Sequence, residues 1–377
     1  MSRTFDAASG LPLSPEAKRA LEAALEHGWA DPARLHRDGR VARQLLDAAR
    51  ASVATSLRAL PQEVAFTSSG TAGVQSAVLG LARGRRKIGD RVVASAVEHS
   101  SVLRAADWVT PDGPALVGVD GEGRLDLKAF RRAVRAPGVA LACVQHANHE
   151  VGTVQPLDEA HAAAAAAGVP LVVDACASLG VLPAPSAWDV LVGSAHKWGG
   201  PAGIGVLAIR TGTRWRSPLP TDEAGRPAGF PNVPGAVAAA TALEQATAAL
   251  AQTRLARERL TTILRERVPG TAADVTPLGP AHDRAPHIAA FTVLYADGEV
   301  LVGELDRAGF AVSSGSACTS NTRRPSHVLA AMGAVTHGNL RISLGPDVTE
   351  SDVGAFLAAL PGAIRAARLA ADRAAGA

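Results

Sequence analysis

Lysine is scarce in this 377-residue chain: it occurs only at 18, 87, 128 and 197, so 34 of the 38 basic residues are arginine. Cysteine is scarcer still, at 143, 176 and 318. Three unevenly spaced thiols make no disulfide framework, which points to a reducing compartment. No apolar run approaches the ~20 residues of a membrane span. The opening MSRTFDAASG lacks the apolar core of a signal peptide. Charge excess is also missing: 38 basic against 35 acidic residues leaves a net +3. That is too small to imply a nucleic-acid or membrane partner. The expectation is a cytoplasmic α/β protein with no metal site, long enough for two domains.

Among what is present, the stretch Asp189 to Arg210, DVLVGSAHKWGGPAGIGVLAIR, stands out. It reads as two strands joined by a glycine-rich turn that carries Lys197. Lysine supplies a primary amine that can attack a carbonyl, which arginine cannot. A solvated loop lysine is the alternative.

In chain order, helices are expected over Pro15 to His27, with Leu21, Ala24 and Leu25 on one face, and over Val41 to Leu60. The strand Glu63 to Phe66 runs through TSSGT into the helix Ala72 to Ala82. A strand, a small-residue turn and a helix start form an anion site, although many such turns only cap a helix. Strands at Arg91 to Ala96, Val139 to Gln145, Pro170 to Asp174 and Trp188 to Val192 alternate with helices, among them the alanine-rich run from His161 to Gly168. His99, Asn148, Asp174 and Lys197 then fall just past C-terminal strand ends, the edge where open α/β sheets bind ligands.

Lys197 with Asp174 suggests pyridoxal 5'-phosphate, which needs a lysine for its carbonyl and a carboxylate at its ring nitrogen. Gly70 and Thr71, with Ser194 and His196, could cradle the phosphate, and His99 could cover the ring. Beyond an irregular stretch from Thr211 to Pro234, Gly235 to Arg265 reads as one long connecting helix. The remainder is a smaller α/β alternation: strands at Ala289 to Leu294 and Leu340 to Leu344, and helices at Glu299 to Arg307 and about Asp352 to Leu360. Thr349 and Ser351 are candidate caps of the last helix. The same smaller unit contains the run Ala311 to Ser320, and in its SSGSACTSN motif (313–321) Cys318 lies among small polar residues as a usable thiol. Cys143 reads as inert core, and Cys176 as a packing residue near the cofactor.

As a set, FTSSGTAG, VEHSSVL, HANHEVGTVQP, VDACASLG, GSAHKWGGPAGIGVL, AVSSGSACTSNTRRPSHVLAAMG and LRISLGPDVT resemble the NifS-like cysteine desulfurases, a branch of the class V aminotransferase-fold enzymes. The resemblance spans nearly the whole chain. It implies the fold-type I α/β architecture, with a mostly parallel seven-stranded sheet in a large domain (14–248) and a small domain (1–13 and 249–377). It also implies a homodimer, pyridoxal 5'-phosphate on Lys197, L-cysteine as substrate, and a sulfur-acceptor protein or thiol as partner.

Carried over by position, His99 stacks on the ring, Asp174 pairs with its nitrogen and Asn148 lies beside cofactor and substrate. Arg341 grips the substrate carboxylate and Cys318 is the nucleophile. This chain departs from the family at Ala177, where a glutamine is usual, and at Phe230, where a threonine is usual. The segment Pro220 to Pro227 also differs. The implied activity is desulfuration of L-cysteine to L-alanine with a persulfide on Cys318. Selenocysteine or cysteine-conjugate C–S lysis, another reaction on the same fold, and a degenerate scaffold subunit are the alternatives.

Overall fold

The computed structural model describes residues 3–221, 229–314 and 325–375. Cys318 and most of Pro220 to Pro227 therefore lie outside the described residues. In chain order the elements are β1 (Arg3–Thr4), α1 (Pro15–His27), α2 (Arg37–Leu57), β2 (Val64–Thr67), α3 (Gly70–Arg85), β3 (Arg91–Ser95), α4 (Ser100–Val109), β4 (Ala115–Val117), α5 (Leu127–Ala133), β5 (Val139–Cys143), α6 (Leu157–Ala166), β6 (Leu171–Asp174), β7 (Val190–Ser194) and β8 (Gly205–Ile209). There follow α7 (Val233–Ala248), α8 (Leu250–Arg267), β9 (Val275–Leu278), β10 (Ile288–Val293), α9 (Gly298–Arg307), β11 (Phe310–Ala311), α10 (His327–Ala331), β12 (Asn339–Ser343) and α11 (Glu350–Ala375).

Seven strands form one sheet in the order β2-β8-β7-β6-β5-β3-β4. The five strands from β7 to β4 run parallel; β8 is antiparallel to both of its neighbours, so the edge strand β2 runs in the same direction as those five. Side chains on a strand alternate between faces, and here each face has its own core. Leu171 and Val173 of β6 and Leu191 of β7 pack with α2, α5, α6 and α7. Val172, Val190 and Val192 pack on the other face with Val74 and Val78 of α3 and Val102 of α4. Burial on both faces explains why these strands read as continuous apolar runs.

A third core joins Phe5 to Leu260 and Leu264 of α8, Phe291 of β10, Leu301 of α9, Ile342 of β12 and Phe356 of α11. Its three-stranded antiparallel sheet has the order β12-β10-β9.

Several expectations are corrected. The single helix over 235–265 is two helices that meet at Ala249. The buried alanines of α7 belong to the large-sheet core, whereas Leu260 and Leu264 of α8 belong to the third core, so the chain turns between them. The last helix does not stop near Leu360 but continues through Pro361 to Ala375. An internal proline costs about 3 kcal/mol, and burial of Leu360, Ile364 and Ala367 in the third core offsets it. Thr349 does cap this helix: its hydroxyl accepts from the Asp352 N–H, and its own N–H donates to Asp352 Oδ2. The Ser351 expectation fails, because Ser351 lies inside α11. By length and composition Glu350–Arg373 could cross a membrane; its apolar side is instead spent on that core. Leu25 is exposed, whereas Ala24 is buried with Ala17 and Leu21 packs half-buried against the core.

Candidate active site

The turn after β7 is rigid for identifiable reasons. Trp198 is buried and donates its indole N–H to the Ala239 carbonyl at 3.1 Å, which ties the turn to α7. Ala195 and Ile204 pair across it through a backbone hydrogen bond of 3.0 Å. Gly193 leaves no room for a Cβ, which would lie 2.7 Å from Leu179 and 3.0 Å from the Trp198 ring. Lys197 is thereby held with its Nζ donating to the Ala8 carbonyl.

Beside it, α3 begins at Gly70, with Ser69 capping the Ala72 N–H at 3.0 Å. The first N–H groups of a helix have no intrahelical acceptor, so those of Gly70 and Thr71 are available to an anion. A Cβ on Gly70 would sit 2.7 Å from Cys176 Sγ and 2.8 Å from Ser194 Cβ. Only glycine lets the helix start approach β6 and β7 this closely. Ser194 Oγ lies 3.1 Å from His196 Nδ1. Burial, then the Lys197 charge, lowers the His196 pKa, which favours a neutral ring.

Asp174 ends β6, and its Oδ1 accepts from the Cys176 N–H at 2.9 Å. Burial and then the Asp174 charge push the Cys176 thiol well above its usual range, so it is a packing group and not a thiolate. His99 caps α4: its Nδ1 accepts from the Ser101 N–H at 3.1 Å, which leaves the proton on Nε2. The His99 ring meets His149 edge-on, with centroids 5.1 Å apart. Burial holds His149 far below its usual pKa, aided by the charges of His99, Arg341 and Lys197.

These groups line one cavity of about 270 Å³, close to the ~300 Å³ at which small-molecule sites begin. Gly70, Thr71, His99, Asp174, Ser194, His196, Lys197 and Arg341 are all on its wall. Asn148 is not. It is fully buried, its Oδ1 accepts from the Glu150 and Val151 N–H groups and its Nδ2 donates to the Val97 carbonyl. Its Oδ1 and one Nδ2 proton shape the turn after β5. Ala177 is on the wall, where it offers no hydrogen bond, and Phe230 is exposed to solvent.

The wall also contains Cys176, expected near the cofactor, and Ser9, Gln145 and His149, which the sequence patterns do not assign to the site. His149 and Gln145 flank the Asn148 turn, so its place at a strand end was a usable signal. Next to the cavity, Glu98 accepts from the Gln145 N–H at 2.7 Å through Oε1, and Oε2 has no partner among the described residues. Burial pushes its pKa up to about 8, so at neutral pH it carries its proton.

A family profile described as aminotransferase class-V matches residues 5–356. The chain belongs to the class V aminotransferase family. Within that family it is 37% identical to an IscS-like cysteine desulfurase of Mycobacterium tuberculosis, over 99% of each chain. It is 36% identical to a cysteine desulfurase of Cereibacter sphaeroides, covering 93% of this chain and 92% of that one. A solved NifS-like protein superposes with a TM-score of 0.88 at 26% identity, covering 97% of this chain and 100% of the other.

Class V enzymes of the cysteine desulfurase type depend on pyridoxal 5'-phosphate. The residues of this chain fit that group. A primary amine, a carboxylate, an open helix start and a crowded glycine that keeps side chains out of the cradle share one cavity.

Proposed function

We propose that this protein is a pyridoxal 5'-phosphate-dependent L-cysteine desulfurase that leaves its sulfur as a persulfide on Cys318. The observation that carries the reading is the single cavity containing Lys197, Asp174, His99, the α3 start and Arg341. Lys197 would hold the cofactor's carbonyl carbon and Asp174 its ring nitrogen. His99 would cover one face, and Gly70, Thr71, Ser194 and His196 would hold the phosphate. When bound, the cofactor supplies an electron sink at the substrate Cα.

The chain's own groups do the rest. Arg341 binds and orients the substrate carboxylate. The Lys197 amine moves the proton at Cα. The Cys318 thiolate attacks the substrate sulfur: an S–S bond forms as the Cβ–S bond breaks, its electron pair stays with carbon, and protonation there gives L-alanine.

Two described residues frame the stretch that contains Cys318. Ser313 pairs with Arg341 through backbone hydrogen bonds of 3.2 and 2.7 Å. Ser326 donates to Glu150 Oε2 at 2.7 Å. The stretch therefore leaves from the arginine strand and returns at the Asn148 turn. On this reading a homodimer is the acting unit, in the cytoplasm, and a thiol or sulfur-acceptor protein takes the sulfur onward.

The test is production of alanine and sulfide from L-cysteine with a reductant. Native protein releases both in equal amounts, and Cys318→Ser binds the substrate but releases neither. Native-rate sulfide release from Cys318→Ser would replace this reading with a plain C–S lyase.

A further inference from the structure

A guanidinium has five N–H donors, one on Nε and two on each Nη. It grips a carboxylate in bidentate fashion through the Nε/Nη2 edge or the Nη1/Nη2 edge, and both edges use Nη2. In Arg341, Nη2 already donates to Asp6 Oδ1 at 2.6 Å and to Ser9 Oγ at 2.7 Å. Nη1 donates to the His149 carbonyl at 3.0 Å. Nε is buried and has no hydrogen-bond partner among the described residues. Neither edge is open as a pair. An incoming carboxylate finds the single donors but no fork.

The same short run covers the second reactive group, since Ala8 O accepts from Lys197 Nζ. The run is laid across the site by backbone bonds. Ala7 N–H donates to Ser343 O at 3.0 Å and Leu11 N–H to His196 O at 2.8 Å. The Arg341 side chain is 3% exposed and that of Asp6 24%, so water reaches the acid and hardly the base. A carboxylate that leaves Nη2 therefore has solvent to move into.

We propose that Asp6 is an internal competitor of the substrate. Its carboxylate holds Arg341 Nη2 in the free enzyme, and the substrate carboxylate must take its place to be gripped at two points. Asp6 is thus a specificity-determining residue that sets how tightly a carboxylate must bind. The inference rests on the proposed reading of Arg341 as the carboxylate receptor.

The experiment uses the holoenzyme, with KM and kcat for L-cysteine and the inhibition constant of propionate, a carboxylate with no amine. Asp6→Asn keeps the shape and a hydrogen-bond acceptor but removes the charge. It lowers both KM and the propionate constant by about fivefold or more, with a smaller change in kcat. Ser9→Ala, which frees the other Nη2 donor, moves both constants the same way by a smaller factor. If Asp6→Asn leaves the two constants unchanged or raises them, Asp6 only orients Arg341 and the proposal is overturned. Should Asp6→Asn fail to fold, Ser9→Ala decides by the same sign.

Arg341→Gln separates the two claims. Undiminished propionate inhibition in that variant sinks the reading of Arg341 itself. Lost inhibition there, with no tightening in Asp6→Asn or Ser9→Ala, sinks only the role of Asp6.

Discussion

The lysine turn and the N-terminal run Asp6–Ser9 reach the same cavity by different construction. Lys197 sits between two paired strands, with Trp198 buried and Gly193 in contact with its neighbours. Its position follows from close packing on several sides, which leaves a well-ordered group with one place to be. The run Asp6–Ser9 contributes no regular strand of its own. It is held by a seam to Ser343, by the Arg341 ion pair and by the lysine turn. Packed walls suit chemistry that needs fixed geometry, whereas a hydrogen-bonded run can exchange partners with a ligand at modest cost.

The largest effect that separates the two sides is expected at Lys197. Lys197→Ala removes the only lysine amine in the cavity, and turnover should fall by at least about 10³-fold. Borohydride should no longer fix the cofactor to the protein. A variant that still fixes it would mean that another amine does the work, and the packed side would lose its special standing.

The packed side was legible in the sequence because each of its residues follows an apolar run. Asp174 and Ser194 end strands whose burial pattern is written in valine and leucine, Lys197 follows on the turn after the second, and Gly70 opens a helix after another. The other side was not legible. Asp6 and Ser9 lie in FDAASG, where no periodicity marks a contact with a residue 335 or 332 positions away. Such contacts depend on how the third core is seated against the sheet, which local patterns do not encode. Asn148 shows the converse. It follows a strand as expected, and the turn it closes takes its Oδ1 and one of its two Nδ2 protons. The break at Ala249 was hidden because alanine and arginine both favour helix, and only the change of core separates α7 from α8.

Gly70→Ala sharpens the comparison from the packed side with an intermediate effect. The new methyl would meet Cys176 Sγ at 2.7 Å, just past the end of β6, and Ser194 Cβ at 2.8 Å, at the end of β7. Overpacking of this kind costs about 1–3 kcal/mol. The helix start should be pushed off the phosphate cradle, so cofactor retention on dialysis, read by visible absorbance, should weaken. Retention equal to native would show that the wall yields more than its packing implies.

The smallest effect is expected on the other side, at the seam. Ser343 is fully buried, and its Oγ accepts from the Ala8 N–H at 2.9 Å. Its backbone carbonyl accepts from Ala7, and its N–H donates to the Phe5 carbonyl at 2.7 Å. Ser343→Ala therefore leaves the strand pairing whole and removes one bond, with the Ala8 N–H left unsatisfied. The cost should be about 1–3 kcal/mol, too little to unfold the third core. Amide exchange at Ala8 should accelerate while exchange around Trp198 stays at the native rate, because the lysine turn does not depend on that bond. KM for L-cysteine should fall slightly as the run loosens its hold on Arg341, in the direction expected of Ser9→Ala and by less. Unchanged exchange at Ala8 would mean that the backbone anchors at Phe5, Ala7 and Leu11 hold the run without it. Its exchange of partners would then have to be confined to the Asp6 side chain.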